Sequence, residues 1–172
     1  MENDIKPNTI ILDVLSNIKD YKNKNILDIG CGEGTDSIFL AKKGFKVTSL
    51  DSSGYIIHKL SLLIKKDNLN IKLIKDNILE FNPKEKYDFI LLNNILHFLK
   101  KEEVKNIINK TKEMTKKNGL NIISYFEEKT NGKENILEYY KDWKIIHNKI
   151  NKEIINHKEH TIVKIIAKKS PA

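Results

Sequence analysis

Among its 172 residues the chain has no arginine, one cysteine, one tryptophan, three prolines and seven glycines. A lone Cys31 excludes an internal disulfide and a cysteine-based zinc cluster. No apolar run approaches the roughly 20 residues that a membrane span requires. The opening "MENDIKPNTI" carries no signal-peptide core. A cytoplasmic protein that does not enter a membrane is the expectation. All 31 fixed cations are lysine, so the planar fork with which arginine reads bases and phosphates is missing.

What is abundant is lysine, isoleucine and asparagine, spread along the whole chain as an AT-rich coding bias would spread them. The net charge of +8 invites a nucleic-acid partner. The even spread and the missing arginine argue against one. A hydrophobic share of 40% and dispersed charge fit a single globular domain with its own core. Monomer and homodimer both fit.

Periodicity places the elements. "NTIILDVLSNIKDY", 8–21, puts Ile11, Leu12, Leu15 and Ile18 at helical spacing, with Asn8 or Thr9 as cap. "KNILDIG" reads as a buried strand, "TDSIFLAKKG" as a helix closed by Gly44, and "FKVTSLD" as a second strand ending at Asp51. "SGYIIHKLSLLIKKDN" is a helix, "IKLIKD" a strand ending at Asp76, and "YDFILLNN" a fourth strand before Asn93. Val104, Ile107, Ile108 and Met114 share one face of a helix that Gly119 ends. "LNIISYF" is a fifth strand, 127–135 a polar loop, and 136–141 a short helix. "WKIIHNKI" and "HTIVKIIAKK" are two late strands joined by a polar link, as a hairpin.

Strands alternating with helices specify βαβ units, and strands apolar on both faces specify a parallel sheet covered on two sides. Right-handed crossovers then give a doubly wound α/β sheet. Its ligand crevice lies beyond the carboxyl ends of the strands. Gly30, Gly32 and Gly34, Asp51, Asp76, and Asn93 with Asn94 all fall on that edge.

Three of the seven glycines stand within five residues, in "GCGEG". Glycine tolerates positive φ and lets a ligand approach the backbone. The dinucleotide spacing G-x-G-x-x-G is absent, and so is the Gly-Lys-Ser/Thr of a P-loop. The loop therefore suits a close ligand other than a nucleoside di- or triphosphate. Asp51, at the end of the second strand, can accept both hydroxyls of a ribose. A plain strand-to-helix turn, with Asp51 as a helix cap, is the competing reading.

At these residues the chain resembles a class I S-adenosylmethionine (SAM)-dependent methyltransferase. "ILDIGCGEG" is similar to that superfamily's first motif, hydrophobic-hydrophobic-Asp-hydrophobic-Gly-x-Gly-x-Gly. The resemblance covers about residues 20–169. It implies a Rossmann-like seven-stranded sheet, mostly parallel with an antiparallel C-terminal strand. Within the superfamily, "GFKVTSLD", "YDFILLNNILHFL", "LEYYKDWKIIHNKINKE" and "HTIVKIIAKK" resemble the tellurite-resistance, TehB-like methyltransferases. The stretch "FEEKTNGKEN", 126–135, departs from that family in being shorter and polar.

The resemblance implies that Asp28 and the backbone of Gly30, Cys31, Gly32 and Gly34 hold the methionine portion of the cofactor. Asp51 takes the ribose, Ser52 lies beside the adenine, Asp76 accepts from its amino group, and Asn77 contributes backbone. Asn93 lines the floor near the sulfonium, and His97 and Phe98 face the entrance. No metal is implied. Each assignment has a plainer rival: Asp76 as a turn residue, Asn93 as a loop bond, His97 as a surface or core histidine rather than a catalytic base. Cys31 is read as a small residue rather than a nucleophile, and Tyr139, Tyr140 and Trp143 as packing. The expected activity is methyl transfer to a small molecule, a metalloid oxyanion such as tellurite or selenite, or a thiol. Methylation of tRNA or another nucleic acid, and a SAM-binding module without turnover, stay open. The helix at 8–21 is the candidate lid.

Overall fold

The computed structural model describes residues 6–18, 20–129, 135–155 and 157–171. Seven strands form a mixed sheet in the order β3-β2-β1-β4-β5-β7-β6. The chain divides into two compact units, Met1–Asn82 and Pro83–Ala172.

The first unit holds α1 (Thr9–Asn17), β1 (Asn25–Ile29), α2 (Thr35–Lys42), β2 (Lys46–Asp51), α3 (Gly54–Asp67) and β3 (Ile71–Lys75). Its strands are short and apolar, and β1–β2 and β2–β3 pair in parallel, Leu27 opposite Thr48 and Leu50 opposite Ile74. Parallel neighbours need crossovers, which α2 and α3 supply, packed on β2 and β3. Gly44, at φ 96°, ends α2. Its N–H bonds Ala41 O while Phe45 N reaches back to Leu40 O, which satisfies two orphan carbonyls of the last turn. Asn68, at φ 49°, closes α3 in the same manner.

Asn8 caps α1 by accepting from Ile10 N, as the sequence predicts. The helix is shorter than 8–21 and turns another face inward. Ile10, Ile11 and Val14 are buried, whereas Leu12 is half exposed. The candidate lid thus has a fully buried stripe, and Asn8 N, at its start, donates to Asp36 Oδ1 of α2 at 2.7 Å.

The second unit holds β4 (Tyr87–Asn93), α4 (Lys101–Met114), β5 (Thr115–Phe126), β6 (Lys144–Ile155) and β7 (Lys158–Lys168). The α4 helix buries Val104, Ile107, Ile108, Thr111 and Met114 against β5, and Glu103 caps its start by accepting from Lys100 N. It stops five residues before Gly119. Thr115–Gly119 belong to β5, where Asn118 takes the left-handed conformation and the register against β4 shifts between Tyr87 and Phe89. Gly119 serves there by its small size: a Cβ would fall 2.7 Å from the backbone oxygen of Asp88. The segment read as a short helix at 136–141 is a 3-10 turn, Ile136–Tyr140.

β7 runs antiparallel to both β5 and β6. The stretch expected as a polar link is strand almost throughout, because Lys152–Ile155 pair with Lys158–Thr161. The core of this unit is Ile90, Leu91 and Leu92 of β4, Ile122 and Ile123 of β5, and Ile162, Ile165 and Ile166 of β7. Residues 130–134, within the stretch that departs from the family, lie outside the described residues.

Candidate functional site

After Ile29 the chain turns through three glycines with positive φ: 68° at Gly30, 52° at Gly32 and 79° at Gly34. An L side chain pays for that conformation, which is why glycine stands there. Gly30 N and Cys31 N both donate to Leu50 O, at 2.8 and 3.1 Å, and lace the loop to the end of β2. Two of the glycines then part company. At Gly34 a Cβ would lie 2.4 Å from Leu60 Cδ1, so the α3 side chain occupies that space. At Gly32 a Cβ would meet nothing within 4 Å. Gly34 is a packing glycine; Gly32 is where the backbone stands open to an incoming group.

Asp51 organises the loop from the neighbouring strand. Its Oδ2 accepts from Gly32 N at 3.1 Å and its Oδ1 from Ser53 N at 2.9 Å. A carboxylate has about four lone-pair sites, so each oxygen can still accept another donor. The rival reading of Asp51 as a helix cap does not hold, since Ser53 caps α3 through Ile56 N. Ser52 lies exposed between them. Asp76 is drawn to the same edge by its main chain, Asp76 N donating to Asp51 O at 3.1 Å. Its Oδ1 accepts from Asn77 N at 2.8 Å, and Asn77 Oδ1 accepts from Leu79 N, so both side chains also shape the turn.

Asp28 sits under the loop rather than in it, only 2% exposed. Ser37 Oγ donates to Asp28 Oδ2 at 2.6 Å and shares a second 2.6 Å bond with Ser49 Oγ. Burial first, then the neighbouring Asp36 carboxylate, pushes the Asp28 pKa up to about 7. Burial, with Asp28 and Asp51 nearby, also raises the Cys31 thiol far above its ordinary value. At neutral pH it is a protonated thiol, unfit as a nucleophile. The buried bracing pair of serines was missed in the sequence. Its trace was there: Ser49 is a hydroxyl inside an otherwise apolar strand.

In the second unit, Asn93 ends β4 and its Oδ1 accepts from Ser124 Oγ of β5. Asn94, at φ 52°, donates its N–H to Ser124 O at 2.8 Å. Asn94 Oδ1 and His97 Nδ1 are buried and meet no hydrogen-bond partner among the described residues. The His97 ring lies 4.1 Å from that of Phe98 and 5.7 Å from that of Phe126, which in turn touches His160 at 4.9 Å. Burial, then Lys129, holds His97 below its ordinary pKa, so its imidazole is neutral at pH 7. Phe126 and His160 carried no signal in sequence, being brought to His97 only by the β5–β7 pairing. Tyr140 and Trp143 are buried against each other, with ring centroids 5.4 Å apart.

A family model described as tellurite resistance protein TehB matches residues 4–163. The chain belongs to the TehB family. A relative from Haemophilus influenzae, named probable S-adenosyl-L-methionine-dependent methyltransferase TehB, is 34% identical over 145 residues, 78% of this chain and 51% of the relative. The chain spans about half the length of the curated relatives it matches. The crystal structure of TehB from Haemophilus influenzae superposes with a TM-score of 0.80 at 28% identity, over 99% of this chain and 63% of that one. The N-methyltransferase NodS of Bradyrhizobium japonicum WM9, solved with S-adenosyl-L-homocysteine, gives a TM-score of 0.76 at 16% identity, over 92% of this chain and 84% of that one. At that identity the likeness is one of fold. The α/β sheet is a Rossmann-like sheet, mostly parallel with an antiparallel C-terminal strand, as expected, and it is shared with the TehB structure.

The residues of this TehB-family chain fit an adenosyl thioether. Open space behind Gly32 admits a group against bare backbone, and Asp51 keeps lone pairs for vicinal hydroxyls beside it. Among the described residues no three His, Cys, Asp or Glu side chains are grouped to hold a metal ion, and no helix is long and apolar enough to cross a membrane.

Proposed function

We propose that this chain is a SAM-dependent methyltransferase acting on a small molecule, with a metalloid oxyanion or a thiol as acceptor. The observation that carries the reading is the Gly32–Asp51 bond, which fixes an acidic side chain next to the one glycine of the loop shown to have open space behind it. Membership of the TehB family and the shared fold support it. When bound, the sulfonium supplies an electrophilic methyl carbon, which takes a lone pair from the acceptor as its bond to sulfur breaks.

The chain's own residues bind and orient. Asp51 accepts the ribose hydroxyls and Ser52 borders the adenine. Asp76 accepts from the adenine amino group, with the Asn77 backbone beside it. The backbone from Gly30 through Cys31 and Gly32 to Gly34, braced by Asp28, holds the methionine portion. Asn93, at the end of β4, is assigned the floor near the reacting sulfur in this proposal. Alignment of this kind is worth about 7–11 kcal/mol of barrier. A soft anionic acceptor needs no general base. An oxygen or nitrogen acceptor would need one, and neutral His97 is the candidate. The same proposal places the protein in the cytoplasm as a monomer or homodimer.

Two measurements test it. Calorimetry with S-adenosylhomocysteine should show saturable heat, lost by at least tenfold in Asp51→Ala. Labelled SAM incubated with tellurite, selenite or thiols should yield a methylated product. Binding without product in any arm would leave a sensor module; no heat would overturn the cofactor itself.

A further inference from the structure

A cavity of about 540 Å³ is built wholly from the second unit, and none of its lining residues belongs to the glycine loop. Lysine dominates its wall: Lys86, Lys116, Lys117 and Lys169 surround Trp143, with Asp142 as the single lining acid. Two cations at this end are neutralised. Lys116 pairs with Asp88 at 2.9 Å, and Lys112 with Asp142 at 2.5 Å. The other three, Lys86, Lys117 and Lys169, make no direct ion pair among the described residues. Lys169 Nζ is held by the carbonyls of Lys112 and Thr115, at 2.7 and 2.9 Å, which position its charge without cancelling it.

Two ammonium groups, of which Lys169 lines the cavity, are also held over the indole. Lys112 and Lys169 each lie 5.7 Å from the Trp143 ring centroid. Cations anchored on an aromatic face have already surrendered much of the side-chain freedom that ligand binding would otherwise consume. Crowding shows in Lys169, whose proton affinity is lowered by burial and then by Lys86 and Lys112, with Asp142 and Glu113 pulling more weakly the other way. An anion would relieve that repulsion. Lys86 and Lys117, with Lys169 only partly offset by Asp142 and Glu113, leave a net positive wall that suits a multiply charged anion such as pyrophosphate, and Ser170 adds a hydroxyl donor to it.

We propose that this lysine-walled cavity beside Trp143 is a binding site for a pyrophosphate-bearing anion, separate in its residues from the cofactor loop. The only tryptophan of the chain lines it, so its fluorescence reports occupancy directly. Inorganic pyrophosphate, ADP, AMP and inorganic phosphate are titrated in turn, with calorimetry alongside in case emission is silent. Pyrophosphate and ADP should saturate the signal and bind at least tenfold tighter than phosphate or AMP. Equal affinity for the first two names the free group as sufficient, and tighter ADP names a nucleotide carrier. Lys86→Gln with Lys117→Gln should weaken binding about tenfold or more, with an unchanged circular dichroism spectrum. Lys117→Gln alone, at an exposed position, serves if the pair misfolds. No saturable signal in either measurement, or unchanged affinity in the variants, overturns the site. SAM binding is read separately and is indifferent to the result.

Discussion

Replacing Asp28 by Asn removes a carboxyl whose ionisation the fold resists. In the unfolded chain this group loses its proton near 3.8, whereas in the folded protein it keeps the proton until about pH 7. Between those values the native state holds a proton that the unfolded state has released. Stability therefore falls as pH rises through that window and is level above it. At about 1.36 kcal/mol per pH unit, the whole span amounts to about 4 kcal/mol, an upper figure because Ser37 can rotate to suit either form. Asn keeps an oxygen for Ser37 and cannot ionise. We expect urea unfolding of the parent between pH 4.5 and 8 to lose several kcal/mol more than unfolding of Asp28→Asn, with the two curves meeting toward the acid end. The variant should be the more stable protein at pH 8. The assay is the midpoint shift at fixed m value. Parallel stability curves would refute the reasoning, since they would mean that Asp28 is ionised without penalty in the fold.

Gly32→Ala should cost only the left-handed backbone, about 1–2 kcal/mol, yet weaken S-adenosylhomocysteine binding by tenfold or more in calorimetry. Gly34→Ala must also displace Leu60 and should lose about 1–3 kcal/mol beyond that in thermal unfolding. Tyr140→Phe removes the acceptor of the 2.8 Å bond from Asn121 Nδ2 and should destabilise by about 1–3 kcal/mol, measured by denaturant midpoint, without touching cofactor binding. If the acceptor reacts through oxygen or nitrogen, the rate should rise as His97 loses its proton, with a midpoint below that of an ordinary histidine, and this limb should vanish in His97→Ala. With tellurite or a thiolate the same variant should keep its pH profile.

The strand ends and the glycine loop were legible because glycine spacing and apolar runs are local signals. Asp51 and Asp76 were legible because both close strands. The two roles hidden inside "GCGEG" were not: only the placement of Leu60, 26 residues beyond Gly34, separates a packing glycine from one with open space. Gly119 was read as a helix stop because a glycine after lysines usually is one. In the fold, Asn118 makes the turn and Gly119 yields room to the Asp88 carbonyl. The inward face of α1 was misjudged because several isoleucines and leucines compete in one window, and tertiary packing chose Ile10 over Leu12. The late hairpin was underestimated for the opposite reason. Its outer half is charged and polar, and cross-strand pairs such as Lys152 with Glu159, 2.8 Å apart, leave no apolar alternation to read.

That outer half has a consequence of its own. β5 accompanies β7 only from Ile162 onward, and Phe126 and Glu128 still hold His160, so only the rungs joining Ile154 and Ile155 to Lys158 and Glu159 form an unsupported ribbon. An unsupported two-stranded ribbon is marginal in water. Its amides should exchange with deuterium well before those of Ile165 and Ile166, and a protease should nick the tip while the remaining sheet stays closed.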